Sequence, residues 1–362
     1  VTPTAIEMLS QIFIMPEHIY KDVTDFEHND YNMNSVGTGP YKLVDYQSGS
    51  YLKFEANENY YKGEPSIKNV VFQIIENADT AILALQNGEV DAYQMTPQQV
   101  KKLDLDASNL STYSYSEGRV GYLEINCNRV TDEKVRKALL YAMDRKAMDD
   151  AAFESSEYYS IPYTFLPTNS QFYTEDGVEK YEQDVDKAKS MLEDAGVSGL
   201  KLKLGYMSSD AVQSAQALLI QEQLKEVGVT VELAGGDGTA IANAMKDPDN
   251  EYDMYLGGYI MGIDPDTFSS LFENDGAYNY MHYSGYDTID QLFEEGRSEL
   301  DESARKETYA KLQAAVQDTG AFYPIISNNK ILVVNNRIQG VEDAGLVPVY
   351  TFEDTSSLKI AE

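Results

Sequence analysis

The pattern of apolar and polar positions is most informative between Glu117 and Arg145, where a strand pattern passes into a helix pattern. Side chains of a strand alternate between its two faces. One face of the predicted strand is apolar and the other carries polar groups; the two sets are Leu123 with Ile125, and Tyr122 with Glu124 and Asn126. We therefore predict a strand with one face in a core and the other able to make polar contacts.

A helix is predicted directly after this strand. Thr131 or Asp132 can cap its N-terminus, and the acidic residues of the first turn favour the positive end of the helix dipole. Apolar residues then recur at spacings of three and four and form one buried stripe; they are Val135, Ala138, Leu139, Ala142 and Met143. The helix pattern extends to Arg145, and beyond Arg145 we predict a loop-rich stretch.

Upstream of this stretch, the pattern predicts a hairpin and then a strand–helix–strand unit. The hairpin strands are Tyr41–Tyr46 and Tyr51–Ala56, joined by a Ser-Gly-Ser turn. The unit consists of strand Val70–Ile75, helix Ala78–Asn87 and strand Val90–Met95. A unit of this length implies a parallel strand pair with a right-handed crossover.

Downstream, a second strand–helix–strand unit is predicted at Leu200–Tyr206, Ala211–Val227 and Val229–Leu233, and helix Asp184–Ala195 precedes it. The remaining elements are predicted as strands at Tyr252–Tyr259, Asn279–Tyr283 and Ala321–Ile326, and as helices at Asp290–Glu299 and Ser303–Asp318. Strands that alternate with helices in this way are typical of an α/β fold.

Composition and charge narrow the class of protein. The 362 residues suffice for two domains, and a hydrophobic content of 43% favours a folded globule. Lys and Arg number 28 against 60 Asp and Glu, a formal charge of −32. Such a charge repels phosphate backbones, which excludes nucleic-acid binding. No apolar run reaches the roughly 20 residues that span a bilayer.

Motifs for catalysis, phosphate binding and metal binding are missing from the sequence. Gly37 and Gly39 precede a strand rather than a helix N-terminus, so they do not form a phosphate-binding loop. No nucleophile elbow, zinc-protease or Walker pattern occurs, and an acidic pair such as Asp264 and Asp266 is expected by chance in so acidic a chain. We predict a binding protein, not an enzyme, with no cofactor and no metal. Cys127, the single cysteine, is expected to be a buried structural thiol.

Several motifs together resemble one known family. The segment Glu117–Arg145 contains Y-x-E-x-N followed by V-R-x-A-L-x-Y-A-x-D-R, and G-T-G-P-Y precedes the first hairpin. N-x-x-Y-x-x-G-x-P follows at Asn57–Pro65, and L-Q-N-G-E-V-D-A and Q-L-K-E-V-G-V-T-V-E-L occur further on. Spread over nearly the whole chain, they resemble extracellular solute-binding protein family 5, the oligopeptide-, dipeptide- and nickel-binding proteins of ABC transporters.

The resemblance implies a two-lobed α/β fold, like that of type II periplasmic-binding proteins of the peptide-binding class. Mixed sheets would be flanked by helices, and hinge strands would join the lobes. Residues 1–117 and 326–362 would form the first lobe and residues 118–325 the second. Family members carry a further N-terminal region, which this sequence lacks. The first lobe is therefore expected to be partial, with exposed strand edges and a tendency to self-associate.

The resemblance also implies a function. The chain would be the substrate-binding component of an ABC importer, which captures extracellular peptides by hinge closure and delivers them to permease subunits in the membrane. Its place would be the extracellular face of the cell membrane, as a lipoprotein in its full-length form, or the periplasm. Two alternatives stay open: the same scaffold binding a carbohydrate, nickel or haem-type solute, and a surface sensory or adhesion receptor.

Candidate ligand-binding residues follow from the same resemblance. Tyr122, Glu124 and Asn126 carry over from the family's strand between the lobes, with a hinge hydrogen-bond set as the alternative. In the loop after Tyr252–Tyr259 the family commonly has an early acidic residue that holds a peptide's α-amino group, and Gly262 lies near its place here. The other candidates are Tyr259, Met261, Asp264, Tyr280 and His282.

Three of these candidates have specific alternatives. Asp264 is either a carboxylate partner for a cationic group or a helix N-cap. Tyr280 and His282 share a face of the predicted strand Asn279–Tyr283, and His282 is either a ligand donor or a metal or haem contact. Tyrosine is abundant, with 28 residues, and tryptophan is absent, so stacking on a ligand would fall to Tyr or Phe.

Overall fold

The computed structural model describes residues 3, 5, 9, 12–33, 36–153, 155–260, 262, 264–348 and 350–361. The chain divides into two compact units, and it passes between them after Tyr115 and after Asn329. The smaller unit comprises Gln11–Tyr115 and Lys330–Glu362, and the larger unit is built on Ser116–Asn329. The assignment of these units as lobes of a binding protein stays a prediction.

In the smaller unit, a three-stranded antiparallel sheet has the order β1-β2-β3. Its strands are β1 (Tyr41–Gln47), β2 (Tyr51–Ala56) and β3 (Asn69–Gln73). The turn between β1 and β2 contains Gly49 at φ 69°, a conformation that glycine adopts without steric cost. The predicted hairpin is confirmed.

The predicted parallel strand–helix–strand unit in this region is wrong. Its helix, α2 (Ala78–Gln86), forms as expected, with the Asn77 side chain accepting a hydrogen bond from the Thr80 N–H. However, β3 pairs with β2, and β4 (Ala92–Met95) pairs antiparallel with the end of β11 (Phe322–Asn335). The local pattern predicted the elements correctly but could not identify the partner of either strand.

Short elements complete the smaller unit. Its other helices are α1 (Glu17–Tyr20), α3 (Pro97–Val100) and α4 (Leu105–Ser108). Strand β5 (Leu110–Ser116) pairs with β11, and two short antiparallel pairs join β12 (Ile338–Gln339) to β15 (Lys359–Ile360) and β13 (Leu346–Val347) to β14 (Thr351–Phe352).

The larger unit contains a mixed sheet with the order β11-β6-β10-β8-β9. Its strands, besides the first part of β11, are β6 (Arg119–Ile125), β8 (Lys201–Met207), β9 (Thr230–Gly236) and β10 (Met254–Ile260), and β7 (Tyr159–Ser160) pairs with β11. Strand β6 is antiparallel to both of its neighbours, whereas β10, β8 and β9 are parallel to one another. The predicted second strand–helix–strand unit, with β8 and β9, is confirmed.

Helices of the larger unit cover this sheet. They are α5 (Glu133–Tyr141), α6 (Arg145–Phe153), α7 (Val185–Asp194), α8 (Ala211–Glu226), α9 (Gly238–Ala244), α10 (Ser269–Phe272), α11 (Asp287–Ser298) and α12 (Glu302–Asp318). Leu123 and Ile125 of β6 lie in a core cluster with α5 to α8, and Tyr122 lies in a second cluster with α10 to α12. The predicted division of this strand into two faces is confirmed.

The prediction of one helix up to Arg145 with loop directly after it is wrong, but the loop-rich stretch does follow, because the described residues between Phe153 and Val185 form only a 3₁₀ turn and the two-residue strand β7. Helix α5 ends at Tyr141, and α6 begins at Arg145. Asp144 explains the break, because its Oδ1 accepts a hydrogen bond from the Ala147 N–H at 3.1 Å and so starts a new helix. Burial of Met148 against the first core cluster stabilises α6.

Candidate functional site

The polar face of β6 places Glu124 inside the larger unit. In the sheet, Glu124 lies opposite Tyr255 of β10 and opposite Phe322 of β11. Its side chain is 0% exposed, and neither carboxyl oxygen has a hydrogen-bond partner among the described residues. Burial raises the pKa of Glu124 well above its ordinary value, because the charged form is poorly solvated there. The site therefore holds an acid whose hydrogen-bonding capacity is unused.

Tyrosine side chains lie on the same face of the sheet as this carboxyl group: Tyr122 of β6, and Tyr255 and Tyr259 of β10. The ring of Tyr280 lies 6.2 Å from that of Tyr255, and Glu124 raises the pKa of these four tyrosines and of Tyr283. The rings of Tyr122 and Tyr259 stack with centroids 5.0 Å apart, and a Cβ at Gly257 would overlap the Tyr122 ring. The buried hydroxyl group of Tyr259 has no hydrogen-bond partner in the described part of the chain. We call Glu124 and these tyrosines the tyrosine cage.

Asn126 directly follows the last residue of β6, and its side chain forms hydrogen bonds with backbone groups. Its Oδ1 accepts a hydrogen bond from the Asn128 N–H at 3.0 Å, and its Nδ2 donates to the Tyr252 carbonyl at 3.4 Å. Both bonds hold the turn that follows β6. This geometry agrees with the alternative of a structural hydrogen-bond set, and a ligand contact at Asn126 stays a prediction.

Asp264 is engaged by protein groups on both oxygens. It is the N-cap of a 3₁₀ helix, Pro265–Phe268, and its Oδ1 accepts a hydrogen bond from the Asp266 N–H. The guanidinium group of Arg305 also donates to both carboxylate oxygens, at 2.8 and 2.7 Å. Because this bidentate ion pair between buried side chains uses both carboxylate oxygens, Asp264 has little capacity left to bind a cationic group of a ligand. Arg305 lies 41 residues away in the sequence, so no local pattern could have indicated this pairing.

The predicted strand Asn279–Tyr283 is wrong. The segment forms turns, and His282 has a φ of 49°, which breaks the extended conformation. Tyr280 is buried and contributes to the tyrosine cage, whereas Nε2 of His282 lies 2.7 Å from the Met245 carbonyl. The two side chains both line a depression of about 380 Å³ on the larger unit, together with Asn128 and Lys246.

Met261 lies outside the described residues, so its predicted role stays a prediction. Among the described residues, no three His, Cys, Asp or Glu side chains come together as a group able to hold a metal ion. None of the helices in the described ranges combines the length and the apolar character needed to cross a bilayer. Cys127 is partly buried, and desolvation raises the pKa of its thiol to about 11.

The structure thus groups four of the predicted site residues, Tyr122, Glu124, Tyr259 and Tyr280. Asn126, Asp264 and His282 instead bond to protein groups. Sequence reasoning missed Tyr255 and Tyr283 as members of the cage. The sequence pattern could have identified Tyr255, because this residue lies four positions before Tyr259 on a predicted strand and therefore shares the face of Tyr259.

Comparison with known proteins assigns this chain to a family. The family model described as bacterial extracellular solute-binding proteins, family 5 Middle, matches residues 1–280. The chain belongs to family 5 of the bacterial extracellular solute-binding proteins. This family consists of binding proteins, and the resemblance inferred from the sequence motifs is confirmed.

Two of the relatives that this chain resembles are described as peptide-binding proteins. The oligopeptide-binding protein AppA of Bacillus subtilis is 27% identical over 358 residues, which cover 91% of this chain and 64% of that protein. The dipeptide-binding protein of Escherichia coli is 26% identical over 320 residues, with coverage of 85% and 59%. The chain therefore spans roughly three fifths of the length of these relatives.

A solved structure in the family is similar over the whole chain. The crystal structure of CtaP, an ABC transporter substrate binding protein from Listeria monocytogenes, matches with a TM-score of 0.94 and 37% identity. The match covers 100% of this chain and 74% of CtaP. The fold is that of type II peptide-binding proteins, as predicted.

Proposed function

We propose that this chain belongs to the ligand-binding component of an ABC importer, which captures peptides outside the cell and delivers them to a permease. Membership of family 5 and the likeness to peptide-binding relatives support this proposal. The function is binding and release of a solute, without a chemical step. Capture by closure of two lobes, action outside the cell or in the periplasm, and attachment by a lipid anchor belong to the same proposal.

The observation that carries the proposal is the unsatisfied Glu124 carboxyl group within the tyrosine cage. A buried polar group without a hydrogen-bond partner costs about 1–3 kcal/mol. A ligand that supplies N–H donors or an ammonium group removes this cost, and a peptide carries both. The phenol group of Tyr259 offers a further donor and acceptor, and the tyrosine rings offer flat surfaces for peptide planes and apolar side chains.

Access to this carboxyl group requires a change of conformation. Glu124 is fully covered in this structure, so neighbouring tyrosine rings must move before a ligand can reach it. Such a change is driven only by the difference in ligand affinity between the two conformations. The proposal therefore includes two arrangements of the tyrosine rings, one that covers Glu124 as in this structure and one that lets a bound peptide contact it; this local movement is separate from the closure of the lobes.

A thermal-shift screen tests the proposal. The chain is heated with pools of di- to nonapeptides, with a set of oligosaccharides, and with Ni²⁺. We expect peptides to raise Tm, since a ligand at about 100 times its Kd stabilises a folded protein by about 2.7 kcal/mol. A rise with oligosaccharides or Ni²⁺ and none with peptides contradicts the proposal.

Variants then connect the peptide effect to the cage. We expect Glu124→Ala to lose most of the peptide-induced rise in Tm. Glu124→Gln keeps the size and shape of the side chain, and we expect it to retain part of that rise. Glu232→Ala is the matched control, since Glu232 is an exposed glutamate on strand β9 of the same unit. An unchanged peptide response in Glu124→Ala excludes Glu124 from the site.

A further inference from the structure

Two tyrosine rings meet at a corner beside Glu124. Tyr255 of β10 lies directly opposite Glu124 in the sheet, so both side chains project from the same face. The ring of Tyr280 packs edge-to-face against the ring of Tyr255, with centroids 6.2 Å apart and ring planes at 76°. Glu124 raises the pKa of both tyrosines, so its carboxyl group lies within electrostatic reach of the two rings. We call Tyr255 and Tyr280 the tyrosine corner.

The tyrosine corner connects the surface of the larger unit with the buried acid. Tyr280 lines the depression of about 380 Å³. On its outer side, Tyr280 packs edge-to-face against Tyr278, which is 44% exposed, with centroids 6.2 Å apart. On its inner side lies the half-buried Tyr255, opposite Glu124. A group that moves from the depression towards Glu124 therefore passes along aromatic rings.

The chemistry along this route favours a cation. The face of an aromatic ring attracts an ammonium group electrostatically. Both carboxyl oxygens of Glu124 have no hydrogen-bond partner among the described residues, and Lys246, which lines the depression, donates instead to Asn243 Oδ1 at 3.0 Å. The formal charge of −32 attracts cations to the protein. A peptide N–H offers one donor and no charge, whereas an ammonium group offers three donors and a charge.

The depth of Glu124 favours an ammonium group on a long side chain. Glu124 is 0% exposed, so a ligand must extend inwards to contact it. A peptide main chain carries an N–H and a C=O group at each residue, and each of them would need a partner at that depth. The lysine side chain instead has a flexible stem of four carbons that ends in a compact ammonium group. Its apolar stem can pack along the rings while the charged end contacts the acid.

We propose that Glu124 and the tyrosine corner bind the ammonium group of a lysine side chain in the captured peptide. The inference rests on the proposed function and adds a preference to it: peptides that contain lysine bind more tightly than peptides of the same shape without the charge. A buried ion pair is favourable only when further contacts offset the loss of hydration. The two rings of the tyrosine corner supply such contacts.

Calorimetry with matched peptides tests this preference. Five variants of pentaalanine carry lysine at one position each, and five others carry norleucine, which keeps the four-carbon chain but lacks the ammonium group. We expect the wild type to bind the lysine peptide of at least one pair about tenfold more tightly. Glu124→Gln should reduce that preference to about twofold or less, because it removes the charge and keeps the shape. Equal affinities within every pair, or a preference that persists in Glu124→Gln, overturn the proposal.

Further variants separate this site from the general attraction of an acidic protein for cations. Glu232→Gln removes one negative charge from an exposed position on β9 and should keep the full preference for lysine. Tyr280→Phe keeps the aromatic ring and should keep the preference, whereas Tyr280→Leu removes the ring and should weaken it. Equal preferences in Tyr280→Leu and the wild type contradict the role of the tyrosine corner.

A second experiment tests the ammonium site without any peptide. Butylammonium chloride replaces sodium chloride at constant ionic strength, and Tm is measured for the wild type, Glu124→Gln and Glu232→Gln. We expect butylammonium to raise Tm by about 2 °C more in the wild type and in Glu232→Gln than in Glu124→Gln. Equal shifts in all three overturn the proposal.

The two experiments distinguish this inference from the proposed function. Peptides that bind without any preference for lysine contradict the inference and leave the proposed function intact. Peptides that fail to bind at all, together with a positive butylammonium result, contradict the proposed function but not the ammonium site.

Discussion

The sheets of the two units differ in how far their apolar side chains are exposed to solvent. In the larger unit, apolar residues on both faces of the central sheet are buried under helices, and Leu123, Phe272 and Phe322 are almost fully covered. In the smaller unit, the sheet β1-β2-β3 leaves Val71 and Phe72 with exposed fractions of 55% and 62%. Both units have hydrogen-bonded sheets, so the difference lies in what covers the sheets.

This contrast explains where the candidate chemistry lies. Unsatisfied polar groups such as those of Glu124 and Tyr259 can persist only where a surrounding core supplies enough stability to offset their cost. The larger unit has such a core on both faces of β6. The smaller unit instead leaves apolar side chains of its three-stranded sheet exposed.

The largest expected effect comes from the same substitution made in each unit. Phe272→Ala removes a buried ring that contacts Phe165 and Phe322, with centroids 4.8 and 5.0 Å away. We expect a loss of about 3–5 kcal/mol in the free energy of unfolding. Phe72→Ala, in the exposed sheet, should cost less than about 1 kcal/mol. Urea unfolding followed by circular dichroism measures both, and equal losses would contradict the contrast between the units.

A second comparison between the units concerns ion pairs, and we expect smaller losses in the free energy of unfolding. Arg305→Met leaves Asp264 as an unpaired buried carboxylate, and we expect a loss of about 3 kcal/mol or more. Arg337→Met breaks the exposed pair with Asp91 in the smaller unit, where an ion pair is worth about 0.2–1 kcal/mol. The same unfolding assay, repeated at 0.5 M NaCl, should reduce only the effect of Arg337→Met. A salt-sensitive Arg305→Met would indicate that its ion pair is open to solvent.

The contribution to the pH dependence of stability should differ in sign between two carboxyl groups, Asp149 of the larger unit and Asp354 of the smaller unit. In the larger unit, burial raises the pKa of Asp149 from 3.8 to about 8, so the folded protein keeps a proton that the unfolded chain has lost. Stability from this group is complete below about pH 4 and falls by about 1.4 kcal/mol per pH unit as the pH rises towards 8. In the smaller unit, a hydrogen bond from Ser356 lowers the pKa of Asp354, so its contribution is lost only as the pH falls below 3.8.

Unfolding at pH 5, 6, 7 and 8 measures this dependence. Asp149→Asn should reduce the fall in stability over this range by about 1.4 kcal/mol per pH unit. Asp249→Asn, at an exposed position of the larger unit, is the control and should leave the slope unchanged. If Asp149→Asn and the wild type have the same slope, Asp149 is ionised in the folded protein.

The sequence predicted those features that depend on nearby residues. The two faces of β6, the hairpin β1–β2 and the parallel pair β8–β9 follow from local alternation, turn chemistry and crossover length. Partners that are distant in sequence could not be predicted in this way. Two examples are the pairing of strand β4 with β11 and the ion pair between Asp264 and Arg305, each of which joins segments that lie far apart in the sequence.

Residue identity alone also could not predict the environment of the site residues. Glu124 was recognised as a candidate, but its complete burial depends on tyrosines from β10 and from the turns near Tyr280. The close packing of the Tyr122 ring against β10 was missed, although a signal existed: Gly257 leaves room for a large side chain on the neighbouring strand. Recognising that room requires the register of β6 against β10, which the pattern of a single strand does not supply.

Native mass spectrometry tests the central claim, that the larger unit captures peptides through the tyrosine cage, most directly. The chain and its Glu124→Ala variant are incubated with an equimolar library of tri- to nonapeptides, with a nickel salt and an oligosaccharide mixture as separate samples. We expect the wild type to gain the mass of one peptide per chain and Glu124→Ala to gain little or none. A wild type that takes up nickel or an oligosaccharide but no peptide, or a variant that binds peptide as fully as the wild type, would contradict the account.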